Sequence, residues 1–201
     1  MSSTISRIGD PSIVSEQAQE NAWVSASRQG DALAFNRLVL KWERKIYNVA
    51  LRMLQDREDA ADATQEIFLM AFKGIRRFRQ DSRFSTWLYR IALNHCITRA
   101  KQRPSGIHLS LDDAGSGEKP IEQLTAAGSQ AGELLRSERQ RRVHNALSHL
   151  QAEQQAVIEL KFFQEMTFEE ISVVLGVPLS TIKSRLYTGL EMLKTRLGDR
   201  E

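Results

Sequence analysis

One stretch of the chain fits neither a helix pattern nor a strand pattern. Residues 104–132 hold two prolines and five glycines, and their apolar residues follow no sustained period. A connection of this length is unusual inside a compact domain. We therefore expect a flexible linker here, with one block before it at residues 23–103 and another after it at 133–201. Residues 1–22 are polar and patternless, and we expect a loose tail there, with a helical segment near its end as the alternative.

Apolar residues in both blocks recur at steps of three and four, which is the spacing of one helix face. In the first block, such segments cover residues 32–54, 56–75 and about 85–102. In the second block, helical patterns return from residue 133. No segment sustains the period of two that a strand would show. The sequence predicts an all-α protein built from two small helical domains.

The second block contains a readable pair of short helices. Thr167 and Glu170 can form a capping box, in which each side chain satisfies a free backbone N–H of the other. Gly176 suits the left-handed residue that ends a helix, and Pro178 suits the first turn of the next one. Two helices joined by a tight glycine turn form a helix-turn-helix, here over residues 168–187.

The second helix of such a motif would enter the major groove of DNA with its first turns against the bases. Its inner side is apolar, with the leucines and isoleucine at Leu179, Ile182, Leu186, Leu190, Leu193 and Leu197. Its outward residues combine hydroxyls and cations that suit phosphates and base edges: Ser180, Thr181, Lys183, Ser184, Arg185, Tyr187 and Thr188. A helical hairpin in an ordinary bundle is the alternative reading.

Charge is segregated along the chain, although the net charge is only +3. Residues 73–103 carry nine Lys or Arg against one acid, whereas residues 56–66 carry five acids against one arginine. Neighbouring blocks of opposite sign suggest two different partners.

The basic block contains RFRQDSRFSTWLYRIALN at residues 77–94, where arginines are interleaved with aromatic residues. Single-stranded nucleic acid accommodates this mixture, because bases stack on rings while cations follow the phosphates. A polar loop between Phe78 and Phe84 could hold a flipped base. In the alternative reading, Trp87 packs in a core with Leu88 and Ile91, and a basic surface lies opposite.

The acidic block has a polar stripe along one helix face. Asp62, Glu66, Leu69 and Lys73 follow each other at steps of four, three and four, and Gln65 lies beside them. Such a stripe is either a solvated helix face or a surface for a protein partner, and the spacing alone does not decide between them.

Several classes of protein fit the sequence poorly. No run approaches 18 apolar residues, and the N-terminus lacks the features of a signal peptide. A single cysteine, Cys96, favours a reducing compartment. His95 and Cys96 are helix neighbours whose side chains diverge, and the separation of His144 and His149 suits shared metal ligation poorly. We expect a cytoplasmic protein with no membrane insertion, no catalytic activity, no metal and no cofactor.

Together these pieces resemble a bacterial RNA polymerase sigma factor of the extracytoplasmic-function (ECF) group. The resemblance covers about residues 28–103 and 133–198. It is carried by GDALAFNRLV, DREDAADATQEIFLMAF, FRQDSRFSTWLYRIALN and MTFEEISVVLGVPLSTIKSRL, which occur in this order. It implies a sigma-2-like domain over 23–103 and a sigma-4-like domain over 133–201.

The resemblance also implies roles for named residues. The acidic stripe would bind the coiled coil of the polymerase β′ subunit through Asp62, Gln65, Glu66 and Leu69. The basic block would capture the melted non-template strand at the −10 element through Phe78, Arg79, Gln80, Asp81, Ser82, Phe84, Trp87, Arg90 and Asn94. The outward residues of the helix-turn-helix, Ser180 to Thr188, would read the −35 element, and the linker would thread toward the polymerase active-site channel.

The resemblance further implies that the protein binds core RNA polymerase, directs it to promoter DNA and promotes melting, and that an anti-sigma factor holds it inactive. One departure is Thr188, where the family often carries another basic residue, so the −35 preference is left open. A transcription regulator that binds duplex DNA without polymerase also fits the helix-turn-helix. Transcription with purified core polymerase separates these two readings.

Overall fold

The computed structural model describes residues 11–102, 146–147 and 149–198. All regular structure in these residues is helical, and they contain no strand, so the all-α prediction is confirmed. The linker expected at 104–132, and most of the helix expected from residue 133 onward, lie outside the described residues.

Residues 11–102 contain four α-helices. They are α1 (Pro11–Arg28), α2 (Ala32–Leu54), α3 (Arg57–Gly74) and α4 (Phe84–Gln102), with a short 3₁₀ turn at Ile75–Arg77. Helix α2 lies at the centre and packs against the other three. Its apolar face explains this position, because Leu38, Ile46 and Val49 are fully buried.

The ends of α2 and α3 follow from local chemistry. The Asp31 side chain accepts hydrogen bonds from the backbone N–H groups of Leu33 and Ala34, at 2.8 and 3.0 Å. Asp56 accepts one from the N–H of Asp59 at 2.8 Å. An aspartate at this position satisfies donors that have no partner inside the helix. The sequence prediction of both helices, and of the Asp31 cap, is confirmed.

Helix α1 extends into the expected tail, because it begins at Pro11 rather than near residue 23. It is anchored by Glu20, which is only 3% exposed. The Glu20 carboxylate lies 2.6 Å from Lys41 Nζ and accepts a hydrogen bond from Trp42 Nε1 at 3.3 Å. An anchor made by a carboxylate leaves no apolar period in the sequence, which is why the pattern failed to predict this helix.

Within residues 149–198, the C-terminal region contains three α-helices: α5 (Ala152–Ile158), α6 (Phe168–Leu175) and α7 (Leu179–Gly198). A π-helical turn, Glu159–Phe163, follows α5 directly. Ile171, Val174 and Ile182 are fully buried between α6 and α7. The apolar side expected for α7 is correct at Ile182 and Leu186 but wrong at Leu197, which is 49% exposed because the last turns of α7 extend beyond this core.

The two regions are in contact. Helix α4 packs against α5 and α6, and α2 also touches α5. The interface includes polar side chains that come from both regions.

Candidate nucleic-acid and protein interfaces

The helix-turn-helix forms as its local signals predict. Thr167 Oγ1 accepts a hydrogen bond from the N–H of Glu170 at 3.2 Å, and the Glu170 carboxylate accepts one from the N–H of Thr167 at 2.9 Å. Gly176 has a φ of 67°, a left-handed conformation that glycine adopts without strain. Ser172 Oγ donates to the Val177 carbonyl at 2.6 Å and closes the turn.

The outward face of α7 is open to solvent at its first turns. Ser180, Lys183, Ser184 and Thr188 are exposed, and Tyr187 is 64% exposed. Thr181 and Arg185 are half-buried at the edges of this face. The arrangement presents hydroxyls, two cations and a ring together on one helix surface. Such a surface can donate hydrogen bonds to phosphates and to base edges. The −35 role of these seven residues stays a prediction.

The acidic stripe lies on the exposed side of α3. Asp62, Gln65, Glu66 and Leu69 are all exposed, and Leu69 is 57% exposed. Leu69 and the half-exposed Phe72 both line one groove, and a continuous apolar surface of this kind is one that another protein could cover.

One arginine of α4 organises the acids of this stripe. Arg99 Nη2 lies 3.0 Å from Asp59 and 3.8 Å from Asp62, and its Nη1 lies 3.4 Å from Glu66. The stripe is therefore tied to the helix that carries the basic block. The two blocks of opposite charge are visible in the sequence, but the pairing of Arg99 with the acids of α3 depends on how the two helices pack.

His95 also faces the stripe from α4. Its Nε2 lies 3.1 Å from Glu66 Oε2, but the alignment is too poor for a hydrogen bond. Burial lowers the pKa of His95 below its ordinary value, and Arg99 adds to this while Glu66 opposes it. The ring is therefore neutral near pH 7.

An apolar groove of about 400 Å³ runs beside the stripe, between α2 and α3. It is lined by Phe35, Val39, Phe68, Leu69 and Phe72, with polar groups at its rim. The ring of Phe72 meets Phe35 edge-on at 5.1 Å but remains 48% exposed. The apolar spacing of α3 predicts that Phe72 lies on the buried side of the helix with Ile67 and Phe68. This prediction is wrong for Phe72, whose ring lies in the open groove.

Two aromatic residues of the basic block, Phe78 and Phe84, are part of the core. Phe78 and Phe84 are 6% and 3% exposed. Phe84 packs against Trp42 at 6.4 Å and against Phe78 at 6.3 Å between ring centroids. In this structure neither ring presents a face on which a base could stack. Their −10 role stays a prediction, and their packing in the core is what the structure shows.

The residues between these two phenylalanines remain on the surface. Arg79, Gln80 and Asp81 are exposed, and Ser82 is half-exposed. Gln80 has a φ of 62°, which is uncommon for a residue with a side chain. Its side-chain amide lies 3.4 Å from Arg28 Nη1 and 3.5 Å from Ser25 Oγ, so α1 supports the loop.

Trp87 takes an intermediate position at the start of α4. Its ring stacks on Phe78 with centroids 4.9 Å apart, and it is only partly buried. A Cβ atom at Gly74 would lie 3.2 Å from the indole, so glycine lets the ring approach the backbone of α3. Asn94 and Arg90 lie further along α4, and both are exposed.

Arg90 is nonetheless engaged. Its Nε donates to the Val174 carbonyl at 3.2 Å, and its Nη2 donates to the Val173 carbonyl. These carbonyls lie at the C-terminal end of α6, where a helix leaves acceptors without internal partners. A residue predicted to bind DNA is thus bound to the first helix of the helix-turn-helix.

A polar cluster, here named the clasp, joins the two regions beside Arg90. The Glu159 carboxylate is 2% exposed and accepts two hydrogen bonds from Arg52, at 2.6 and 2.7 Å. Gln164 donates to Glu159 at 3.0 Å and accepts from the Tyr89 hydroxyl. Gln155 donates to the backbone carbonyl of Arg52. The members of the clasp are Arg52, Tyr89, Gln155, Glu159 and Gln164.

Two buried titratable groups lie close to this interface. Burial raises the pKa of the Tyr89 hydroxyl well above its ordinary value, and the charge of Glu159 adds to the effect. Tyr89 therefore stays protonated and can donate to Gln164. Burial also raises the pKa of the Cys96 thiol to about 12, so this cysteine is a poor nucleophile.

Among the described residues, none of the helices is both long enough and apolar enough to cross a lipid bilayer.

Comparison with known families supports this architecture. The model for Sigma-70 region 2 matches residues 38–104, and the model for Sigma-70 region 4 matches residues 140–193. The first match covers the helices with the acidic stripe and the basic block, and the second covers the helix-turn-helix. The class defined by these two regions is that of the sigma factors, which are transcription initiation factors rather than enzymes.

Curated relatives specify the group. The RNA polymerase sigma-H factor of Pseudomonas aeruginosa is 32% identical, over 90% of this chain and 95% of that protein. The ECF RNA polymerase sigma factor SigW of Bacillus subtilis is 33% identical, over 86% of this chain and 93% of that protein. The chain belongs to the extracytoplasmic-function group of sigma factors, as its motifs indicated.

Solved structures share the fold. CnrH, in complex with the cytosolic domain of CnrY, superposes with a TM-score of 0.66 at 21% identity and covers 91% of this chain and 99% of its own. The sigma factor RpoE from Bartonella quintana, in complex with the anti-sigma factor NepR, gives a TM-score of 0.59 at 20% identity. That match covers 83% of this chain and 98% of RpoE.

Proposed function

We propose that the protein binds core RNA polymerase through the acidic stripe and places the enzyme on promoters through two DNA-binding surfaces. The outward face of α7 reads the −35 element. The loop after Phe78 and the exposed side of α4 hold the melted −10 strand. The observation that carries the proposal is the solvent exposure of Leu69 beside an apolar groove, in a chain of this family.

The α3 surface has the chemistry of a protein contact. Leu69 and Phe72 together expose apolar surface at the edge of the groove. Asp62 and Glu66 flank it with negative charge, which Arg99 holds in place. An apolar centre with a charged rim is the usual form of a protein interface. The β′ coiled coil is the partner that family membership supports.

Transcription with purified core polymerase tests the function as a whole. The wild-type protein should direct the polymerase to defined start sites on a selected promoter library. A regulator that only binds duplex DNA would give no promoter-specific transcript in this assay. Absence of such transcripts with an active core polymerase would overturn the proposal.

Leu69→Ser tests the polymerase contact more cleanly than Glu66→Lys. Glu66 pairs with Arg99, so its replacement also disturbs the fold, whereas the Leu69 side chain is largely in solvent. We expect Leu69→Ser to weaken core polymerase binding at least about tenfold, as for a hot-spot residue. Leu40→Ser on α2 is the matched control, because Leu40 is 68% exposed and lies outside the groove lining.

Lys183→Ala tests the −35 surface, with Lys194→Ala in the later part of α7 as its control. Both lysines are exposed, so neither change should affect folding. If Lys183 contacts a phosphate, the plot of log binding constant against log salt concentration should become less steep in Lys183→Ala, by about one unit of slope. Promoter binding that is insensitive to salt in the wild-type holoenzyme would contradict the groove-binding model.

Arg79→Ala tests the −10 surface. Arg79 is 86% exposed and its pair with Asp81 is long, at 3.4 Å, so the change leaves the fold intact. We expect open-complex formation to fall while core polymerase binding stays unchanged. Arg44→Ala, an exposed arginine on α2, is the control. Equal loss in both variants would show a general charge effect and not a local contact.

Regulation by an anti-sigma factor is part of the proposal. Among the solved neighbours, RpoE of Bartonella quintana is bound to such a factor. The groove beside Leu69 offers an apolar surface that a partner helix could cover, and covering it would block the polymerase contact. Addition of a cognate anti-sigma factor should therefore compete with core polymerase for the wild-type protein.

A further inference from the structure

The clasp has the chemistry of a reversible contact. Glu159 is nearly inaccessible to water, and Arg52, from the other region, supplies its compensating charge. A buried carboxylate without such a partner is strongly unfavourable. When the two regions separate, however, both groups are rehydrated. A buried ion pair is therefore close to break-even between the closed and open arrangements.

The clasp is also geometrically specific. Arg52 binds the carboxylate with two parallel hydrogen bonds, a fork that fixes both position and angle. The guanidinium also lies over the Phe163 ring, with its Cζ 4.4 Å from the ring centroid. The π-helical turn Glu159–Phe163 supplies both partners, because it carries the carboxylate at its start and the ring at its end. The contact thus selects one arrangement of the two regions.

Arg90 is held in the same interface. Its guanidinium is bound to the carbonyls of Val173 and Val174, at the negative end of the α6 dipole. These contacts use the Nε and Nη2 side of the guanidinium, which is the fork that binds a phosphate or a base edge through two parallel hydrogen bonds. Bidentate DNA binding through this side of Arg90 and the closed arrangement therefore exclude each other.

We propose that the packing of the C-terminal region against α2 and α4 is an autoinhibitory contact, in which the Arg52–Glu159 pair keeps Arg90 bound to α6 and away from DNA. The DNA role of Arg90 in this inference rests on the proposed function. Breaking the clasp opens the two regions and releases Arg90. In the closed protein, affinity for DNA is reduced by the fraction of molecules that are open.

The experiment has a structural arm that does not depend on DNA. Dyes are attached to cysteines at Glu16→Cys on α1 and Glu191→Cys on α7, both exposed positions, while Cys96 is buried and stays unlabelled. Energy transfer between the dyes reports the closed arrangement in the full chain. We expect Arg52→Ala and Glu159→Gln each to lower the transfer efficiency. Unchanged efficiency in both variants would overturn the proposal.

Two further variants are controls for the energy-transfer measurement. The charge exchange Arg52→Glu with Glu159→Arg should restore part of the energy transfer, because the pair can form again. Lys101 forms an ion pair with Glu153 at the periphery of the interface, and its side chain is 59% exposed. Lys101→Ala should therefore leave the transfer efficiency near the wild-type value. An equal loss in Lys101→Ala and Arg52→Ala would show that the clasp has no special role. Circular dichroism confirms that each variant is folded.

The second arm measures binding to a labelled single-stranded DNA of mixed sequence, without polymerase. We expect Arg52→Ala to bind about tenfold more tightly than the wild type if about a tenth of wild-type molecules are open. The gain should disappear in Arg52→Ala with Arg90→Ala. Opening without any gain in DNA affinity, or a gain that survives the loss of Arg90, would overturn the inference.

Failure of the inference and failure of the proposed function are distinguishable. Promoter-specific transcription by the wild-type protein with core polymerase tests only the proposed function. Energy transfer in the Arg52 and Glu159 variants tests only the clasp. A protein that transcribes normally but shows no opening retains the proposed function and loses the inference.

Discussion

The helix-turn-helix and the aromatic basic block use their rings in opposite ways. In α7, the exposed Tyr187 lies on one side and the buried Ile182 on the other, so the binding face and the core are separate. In the basic block, Phe78 and Phe84 are part of the core, while Arg79 and Arg90 reach the surface. A substitution on the exposed face of α7 therefore tests binding alone. A substitution of a ring in the basic block tests folding first.

The largest expected effect separates these two uses of an aromatic ring. Phe84→Ala should lower the free energy of unfolding by about 3–5 kcal/mol, because it removes a buried ring from the core. Tyr187→Ala should change it by less than about 0.5 kcal/mol, because that ring is solvated. Urea unfolding followed by circular dichroism measures both. A Phe84→Ala protein as stable as the wild type would place that ring on the surface in solution.

The next effect concerns the turn of the helix-turn-helix. Gly176→Ala should cost about 1–2 kcal/mol, since φ is 67° at this residue and a side chain there is strained. No atom lies within 4 Å of the added Cβ, so backbone strain alone is responsible. Gly176→Asn should cost less, because asparagine tolerates the left-handed region better. Equal losses in the two variants, measured by thermal unfolding, would refute this reason.

The helix caps allow a direct comparison of the two regions. Asp31→Ala and Thr167→Ala should each cost about 1 kcal/mol, which is typical for the loss of an N-cap side chain. Thr167→Ala should also weaken promoter binding, because α6 positions the start of α7. Asp31→Ala should leave promoter binding intact in conditions where the protein remains folded. Unfolding curves and promoter-binding assays on the same samples separate the two outcomes.

The smallest expected effect is on pH dependence. The folded-state pKa of His95 is lowered, so the unfolded chain binds a proton more readily than the folded protein as the pH falls through about 6.5. The wild type should therefore lose stability between about pH 7.5 and pH 5.5, and His95→Gln should lose less over this range. Thermal unfolding at both pH values measures the difference. An identical pH dependence of the two proteins would mean that His95 has an ordinary pKa in the folded state.

The helix-turn-helix could be predicted in detail because its signals are local. Thr167, Glu170 and Gly176 act on neighbours within a few residues, and each has the geometry that the sequence implied. Helix α1 could not be predicted in this way. Its anchor, Glu20, is a buried acid whose partners Lys41 and Trp42 lie on another helix.

The clasp could not be predicted because its partners are far apart in the chain. Arg52 and Glu159 are separated by 107 residues, and neither belongs to an unusual local pattern. Arg99 and the acids of α3 gave a partial signal, since two blocks of opposite charge were visible. Their pairing across two helices required the fold. The core positions of Phe78 and Phe84 were hidden by the arginines around them, which suggested a single surface.

The close approach of Trp87 to Gly74 has a consequence for the evolution of this surface. A Cβ atom at Gly74 would lie 3.2 Å from the indole of Trp87, so a side chain at residue 74 would compete for space with the ring at residue 87. A larger residue at 74 requires a smaller or displaced ring at 87. In aligned sequences of the group, the two positions should therefore change together, and a chain that gains a side chain at the first should lose the large ring at the second.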